Sequence, residues 1–190
     1  MTELELLEAL KQHDQTALSE VFERYSDKIY RLALRLLDNE TMADGVVQDT
    51  FIALIENIDT FEGRSKLSTW LYRVAYNNVM GRLRKVKPQL ELDDLDDDYA
   101  IPTTLVDWQT IPETMLSDSE AMVEIQQAID TLNPTLKAVF LLRDIEELST
   151  EETAASLGIS ISAAKVRLHR ARLALREALS SYYEERLITE

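Results

Sequence analysis

The sequence predicts an all-α fold of two small helical domains joined by an acidic, flexible linker. Apolar residues recur at intervals of three and four over most of the chain, which is the spacing of one helical face. Only 4 glycines and 4 prolines occur in 190 residues, and 45% of the residues are apolar, so helix breakers are few and a core is available. The predicted domains are residues 1–87 and 119–190, with the linker at residues 88–118.

Three helices are predicted at the start of the first domain, at residues 3–12, 15–37 and 40–57. The second helix carries a row of apolar side chains at helical spacing, which we expect to be buried. This row is Leu18, Phe22, Tyr25, Ile29, Leu32, Ala33 and Leu36. The third helix has an apolar side, which includes Phe51 and Ile55, and an opposite side with Asp44, Gln48 and Asp49. Taken alone, such acidic residues are typical of an ordinary solvated surface.

A fourth helix is predicted from about Thr69, capped by Ser68, to the residue before Pro88. From Arg64 to Lys87 the chain has seven basic residues and no acidic one. The helix interleaves aromatic rings with basic and amide side chains, which is typical of single-stranded nucleic-acid binding. These side chains are Trp70, Tyr72, Arg73, Tyr76, Asn77, Arg82, Arg84 and Lys85. The alternative is that the rings pack in the core and only the charges are exposed.

The linker at residues 88–118 has three prolines and no helical spacing, but the nine large apolar residues between Leu90 and Ile111 suggest that it docks on another surface. Charge is also unevenly distributed: the net charge is −15, yet residues 88–134 hold twelve acidic and no basic residues. The rest of the chain carries only −3, from 20 basic and 23 acidic residues. Two basic segments separated by an acidic belt indicate binding partners.

In the second domain, two helices with apolar faces precede a predicted helix–turn–helix between Thr150 and Leu175, and residues 180–190 form a short tail. Gly158 lies at the turn, and Ser160 or Ser162 is available to cap the second helix. That helix is basic, with Lys165, Arg167, His169, Arg170, Arg172 and Arg176 and no acidic residue among them. A basic second helix favours DNA binding in a major groove. An ordinary helical hairpin with a solvated basic face is the alternative.

Several functional classes are disfavoured by composition. There is no cysteine, and the two histidines are far apart, so we find no nucleophile–base pair, no metal-ligand set and no glycine-rich phosphate loop. We therefore expect neither an enzyme nor a bound cofactor or metal. The first residues lack the features of a signal peptide, and no long apolar run occurs, so we expect a cytoplasmic protein that does not span a membrane.

The order of motifs resembles that of bacterial sigma factors of the extracytoplasmic-function type, group four of the sigma-70 family. Residues 43–51, ADGVVQDTF, resemble the family segment A-E-D-[LV]-V-Q-[ED]-[TV]-F, and residues 68–77, STWLYRVAYN, resemble [FS]-x-T-W-L-[YF]-R-I-A-x-N. Residues 132–177 resemble the family's second DNA-binding region nearly throughout. The resemblance covers about 15–87 and 120–180.

The resemblance implies an alternative sigma factor that directs core RNA polymerase to promoters. Asp44, Gln48 and Asp49 would bind the clamp helices of the β′ subunit, and the β flap would be a further contact. The loop and helix at 61–87 would read and open the −10 element, with contacts from Arg64, Lys66, Ser68, Trp70, Tyr72, Arg73, Tyr76, Asn77, Arg82, Arg84 and Lys85. The helix–turn–helix would read the −35 element through Ser162, Lys165, Arg167, His169 and Arg170. The linker would thread through polymerase channels, and an anti-sigma factor would be a further partner.

Some residues depart from the family pattern. Gly45 and Gly81 stand where the family usually has Asp, and the first of these removes an expected polymerase contact. Ala164 and Val166 replace Val and Ser in the second helix of the helix–turn–helix. Two rival functions remain open: a helix–turn–helix regulator that never contacts polymerase, and an acidic helical adaptor with no DNA role.

Overall fold

The computed structural model describes residues 2–86 and 119–189, with the backbone alone at 119–122 and 181–189. Within these ranges every regular element is helical, as predicted. The described residues form two compact units, one from residues 2–86 and 151–159 and the other from residues 119–150 and 160–189. The predicted linker at 88–118 lies outside the described residues, and the predicted domain boundaries stay predictions.

The first unit contains α1 (Glu3–Lys11), α2 (Gln15–Leu37), α3 (Glu40–Asn57) and α4 (Leu67–Val86), with a 3₁₀ turn at Ile58–Thr60 after α3. It also holds α7 (Thr150–Leu157) from residue 151 onward. Helices α2, α3 and α4 pack against one another, and α1 packs on α2. The fully buried side chains of this core include Leu6, Val21, Ile29, Val46, Leu54, Leu71 and Val79.

The ends of α2 and α3 follow local signals in the sequence. Asp14 caps α2, since its carboxylate accepts hydrogen bonds from the N–H groups of Thr16 and Ala17 at 2.7 and 3.2 Å. Asp38 ends α2 in the left-handed conformation, with φ of 51°, and Asn39 caps α3 by accepting from the N–H of Met42 at 2.9 Å. The helix boundaries predicted around residues 37–40 are therefore confirmed.

Helix α4 begins two residues before its predicted start. The N–H of Leu67 donates to Glu3 Oε1 at 3.0 Å, so a carboxylate on α1 satisfies a backbone group at this helix end. Ser68 lies inside the first turn and is not the cap that the sequence predicted. The prediction was wrong because the group that satisfies this N–H comes from a distant part of the chain.

Part of the apolar row predicted for α2 is not buried. The prediction is confirmed for the second half of the row, where Ile29, Leu32, Ala33 and Leu36 are buried. In the first half, Ala17 and Val21 are fully buried, whereas Phe22 is 48% exposed, so there the covered side is displaced by one residue from the predicted row. On α3, Ile55 is likewise 50% exposed although its spacing predicted burial. The neighbouring helices cover the side of α2 that carries Ala17 and Val21 and leave Phe22 at the edge.

The second unit contains α5 (Ser119–Thr131), α6 (Pro134–Phe140), a π-helical turn at Leu141–Ile145, and α8 (Ile161–Thr189). Helix α8 packs against α5 and α6. It continues to Thr189, so the segment predicted as a tail is helical; no glycine or proline follows Gly158 to end the helix. Arg172 on α8 forms a bidentate ion pair with Asp144 in the π-helical turn, at 2.9 and 2.7 Å.

Candidate nucleic-acid interface

One face of α4 carries a row of polar and basic side chains. Trp70, Arg73, Asn77 and Arg84 follow one another at intervals of three, four and seven residues, which places them on the same side of the helix. Arg73, Asn77, Arg84 and the adjacent Lys85 are exposed, as the sequence predicted, and Trp70 is partly buried. The helix contains no acidic residue, so every charge that it contributes to this face is positive.

A cavity of about 280 Å³ lies at the loop that precedes α4. It is lined by Asn57, Thr60, Phe61, Glu62, Arg64, Ser65 and Trp70. The Phe61 and Trp70 rings meet edge to face, with centroids 6.2 Å apart and planes at 73°. Two rings beside amide, hydroxyl and guanidinium groups provide the chemistry that holds a single unstacked base. Sequence reasoning placed Trp70 here but missed Phe61.

Both basic residues of this loop have acidic partners. Arg64 pairs with Glu62 at 2.5 Å, yet its side chain remains 85% exposed. Lys66 Nζ lies 2.6 Å from Glu152 Oε1 on α7, within the same unit. The hydrogen bond to Glu152, together with the charge of that carboxylate, raises the pKa of the Lys66 ammonium. To bind a phosphate, each of these cations would therefore have to give up its contact with a carboxylate of the same chain.

The two tyrosines predicted to stack on bases lie in the core. Tyr72 is 2% exposed and Tyr76 is 7% exposed, so neither ring presents a face to the surface. Ser68 is partly buried at the start of the same helix. The sequence left open the alternative that the rings pack in the core while the charges are exposed, and this alternative is correct for both tyrosines. Of the predicted aromatic residues, Trp70 lines the cavity.

Arg82 differs from the other basic residues of α4 because it turns toward α3. Its Nη2 donates to Asp49 Oδ2 at 2.6 Å, and its side chain is only 29% exposed. The sequence assigned Arg82 to DNA and Asp49 to polymerase. One ion pair thus joins two residues that were predicted to serve different partners.

The outward side of α3 is acidic and polar over its first half. Asp44, Gln48 and Asp49 are all exposed, as predicted. Tyr30 on α2 is close enough to this side for the charge of Asp44 to act on it: burial, and then the charges of Glu40 and Asp44, raise the pKa of its hydroxyl. The side is therefore available to a basic partner.

The same side of α3 becomes apolar in its second half. Ile52 is 52% exposed and Ile55 is 50% exposed, and the half-exposed ring of Phe22 packs on Phe51 with centroids 4.8 Å apart. Exposed apolar side chains grouped next to charged ones are typical of protein interaction surfaces. Sequence reasoning assigned Phe22 and Ile55 to the core, and it did not single out Ile52.

The start of α8 is built from the predicted elements. Gly158, the predicted turn residue, belongs to the first unit and takes φ of 68°, a conformation that favours glycine, three residues before the helix. Ser160 is the cap, since its Oγ accepts from the N–H of Ala163 at 3.0 Å. Ser162 is therefore not the cap of this helix. Both Ser162 and Lys165 are exposed in its first turns.

Farther along α8 the predicted contacts are less exposed. Arg167, His169 and Arg170 are all partly buried, and the Nε of Arg167 is buried without a hydrogen-bond partner among the described residues. Ala164 and Val166 are 1% and 2% exposed. The two departures from the family pattern in this helix therefore change the core of the unit and leave its exposed surface unaltered.

Other kinds of site are not found in the described ranges. Among residues 2–86 and 119–189, no three His, Asp or Glu side chains are grouped in a way that would hold a metal ion. In the same part of the chain, no helix has the length and apolar character needed to cross a membrane.

Two family models match the chain in order along the sequence. Sigma-70 region 2 matches residues 21–88 and Sigma-70 region 4 matches residues 122–175. A full-length relative agrees with both: the ECF RNA polymerase sigma factor SigW of Bacillus subtilis is 36% identical over 176 residues, which are 91% of this chain and 94% of SigW.

Two solved structures share the fold. CnrH, in complex with the cytosolic domain of CnrY, superposes with a TM-score of 0.67 at 24% identity and covers 94% of this chain and 97% of CnrH. The sigma factor RpoE, in complex with the anti-sigma factor NepR from Bartonella quintana, gives a TM-score of 0.61 at 22% identity, covering 85% and 96%. On the two family regions and the identity to SigW across nearly its whole length, the chain belongs to the ECF RNA polymerase sigma factors of the sigma-70 family, which direct RNA polymerase to promoters.

Proposed function

We propose that this sigma factor recognises a −10 and a −35 element through its two units and helps to open the DNA at the first of them. The observation that carries the proposal is the exposed basic row of α4, which ends at the aromatic cavity of the preceding loop. The protein acts by binding and positioning, in the cytoplasm and without catalysis of its own. No cofactor enters the proposal.

For the −10 element, we assign the cavity to one flipped base and the row to the strand that follows it. Trp70 and Phe61 supply ring contacts, which are worth about 1–3 kcal/mol per stacked base and tolerate different bases. Arg73, Arg84 and Lys85 supply phosphate contacts, which fix the position of the strand without reading its sequence. The amide of Asn77 lies between them and is able to bond a base edge.

For polymerase, we assign the outward side of α3. Its acidic half, at Asp44 and Gln48, suits a helix that presents Lys or Arg, and its apolar half, at Ile52 and Ile55 with Phe22, supplies the part of an interface that excludes water. The clamp helices of the β′ subunit are the proposed partner. An apolar centre with a charged border gives both affinity and register.

For the −35 element, we assign the start of α8. In helix–turn–helix proteins the first residues of the second helix contact base edges in the major groove. Ser162 and Lys165 occupy these positions and are exposed, while Arg167, His169 and Arg170 lie farther along the helix and are partly buried. The first two are therefore the proposed base and phosphate contacts, and the β flap of polymerase is the proposed partner for another surface of this unit.

An anti-sigma factor is a further proposed partner. RpoE, which shares the fold, forms a complex with the anti-sigma factor NepR in its crystal structure. We propose that a protein of this class also binds the present chain and withholds it from polymerase. Pull-down from a culture with the tagged chain, followed by addition of core polymerase, tests whether one partner displaces the other.

Run-off transcription with purified core polymerase and a promoter library tests the proposed function. We expect initiation from a subset of promoters that share two spaced elements, and co-elution of the chain with core polymerase. No initiation above that of core polymerase alone would overturn the proposal. Lys165→Glu separates the rivals: an adaptor with no DNA role would keep its effect on transcription, whereas the proposed −35 contact predicts its loss.

A further inference from the structure

Gly45 leaves a space on α3 that the guanidinium group of Arg82 fills. A Cβ built on Gly45 would lie 2.9 Å from Arg82 Nη2, 3.1 Å from Nη1 and 3.2 Å from Cζ. All three distances are shorter than ordinary van der Waals contact, so the guanidinium rests against the backbone of α3. Any side chain at position 45 would push it away.

Asp49 holds the guanidinium in that position. It follows Gly45 by four residues and therefore lies on the same side of α3, one turn farther along. Arg82 reaches from α4 across Gly45 and donates to the Asp49 carboxylate at 2.6 Å. Asp49 remains 47% exposed, so a second cation is able to approach it from outside.

We propose that this ion pair withholds Arg82 from DNA until a basic partner takes Asp49. The ion pair holds the guanidinium over α3, and the carboxylate of Asp49 offsets its positive charge, so a phosphate gains little from it. The attraction of Asp49 for Arg82 weakens when Lys or Arg from a partner approaches the same carboxylate. Binding at α3 then frees a cation on α4. The inference rests on the proposed assignments of α3 to polymerase and of α4 to DNA.

The sign of the coupling follows from linkage. A partner that competes for Asp49 lowers the cost of moving Arg82 to a phosphate, so polymerase binding raises DNA affinity and DNA binding raises polymerase affinity by the same factor. Because the pair is partly exposed, that factor is about twofold to fivefold, the range that exposed ion pairs allow.

Gly45→Ala is the sharpest test because it displaces Arg82 and leaves the net charge unchanged. The matched control is Gly81→Ala, since Gly81 is also inside a helix and a Cβ there has nothing within 4 Å. Both changes improve helix propensity, so neither is expected to unfold the chain; thermal melting checks this. Affinity of the full chain for fluorescein-labelled oligothymidine, which offers phosphates without a promoter sequence, is measured by anisotropy over a range of salt concentrations.

We expect Gly45→Ala to bind oligothymidine about twofold to fivefold more tightly than the wild type, with a salt slope steeper by about 0.7 for one added phosphate contact. Gly81→Ala should match the wild type. Arg82→Gln leaves the Asp49 carboxylate unpaired, so it should bind oligothymidine no more tightly than the wild type, and it should remove the gain in the Gly45→Ala background. With core polymerase bound, Gly45→Ala and wild type should bind promoter DNA equally.

No gain in Gly45→Ala overturns the inference, whether both chains bind equally or neither binds. A gain that persists in the Gly45→Ala, Arg82→Gln double variant also overturns it, because the added affinity then has another source. These failures are distinct from failure of the proposed function: run-off transcription by the wild-type chain tests the proposed function, and the oligothymidine titration tests the ion pair.

Discussion

Replacing Trp70 by alanine removes one of the two rings that line the loop cavity. The remaining ring, Phe61, has its centroid 6.2 Å from that of Trp70 and meets it edge to face, so it does not occupy the same position. Loss of one stacked base costs about 1–3 kcal/mol. At about 1.4 kcal/mol per factor of ten, strand opening should fall by about 5-fold to 150-fold.

The assay places 2-aminopurine at single positions of the −10 element and follows its fluorescence as the holoenzyme unstacks the base. Trp70→Phe retains a ring and should keep most of the opening, which makes it the matched control. Trp70 is partly buried, so Trp70→Ala should also lose up to about 2 kcal/mol of folding stability. Circular dichroism sets a temperature at which all three chains are folded.

Salt dependence distinguishes stacking from charge. Ring stacking displaces no counterions, so the deficit of Trp70→Ala should be the same at low and high salt, whereas a lost phosphate contact changes the salt slope. Wild-type opening by a folded Trp70→Ala chain would refute the assignment of the cavity to a base. A deficit that is large at low salt and disappears at high salt would show that Trp70 acts through its basic neighbours.

Three further predictions concern charge and stability. Arg84→Gln should flatten the salt slope of single-strand binding by about 0.7 without changing the ranking of promoters, as measured by anisotropy; a changed ranking would contradict a phosphate role. Arg172→Leu should lower the free energy of unfolding in urea by about 2–3 kcal/mol, because it leaves the carboxylate of Asp144 buried without its bidentate partner; adding Asp144→Leu should recover part of the loss, and strict additivity would contradict the pair. The pKa of the Asp14 carboxyl is lowered by hydrogen bonds from backbone N–H groups. Its stabilisation of α2 should therefore be complete above its ordinary pKa near 3.8 and be lost as the pH falls through the lower pKa of the folded state. Between neutral and acidic pH, the melting temperature should fall less for Asp14→Asn than for the wild type.

Local signals predicted most of the fold. Asp14, Asp38 and Asn39 act within four residues of the helix ends that they define, so the sequence alone places those ends correctly. The start of α4 was misplaced because Glu3, which satisfies the N–H of Leu67, is 64 residues away. Arg82 presents the same difficulty. Its residue type and its position on α4 are those expected of a DNA contact, and only the three-dimensional structure shows that its guanidinium lies over Gly45 on α3.

The aromatic residues were assigned to the wrong sides for a single physical reason. Helix α4 packs against both α2 and α3, so its buried face is wide enough to include Tyr72 and Tyr76, which were predicted to be exposed. Phe22 and Ile55 have the spacing of core residues but lie beyond the edge of the neighbouring helices. Helical spacing shows which residues share a face, whereas the positions of the neighbours decide how much of that face is covered.

That distinction makes the misplaced residues informative. Apolar residues that contact another protein have the same helical spacing as apolar residues that pack in the core. Spacing alone therefore assigns both kinds of residue to the core. Exposed side chains at core spacing, here Phe22 and Ile55, therefore mark where a helix from another protein would complete the packing. Their position beside Asp44 and Gln48 is the reason that the polymerase surface is proposed on α3.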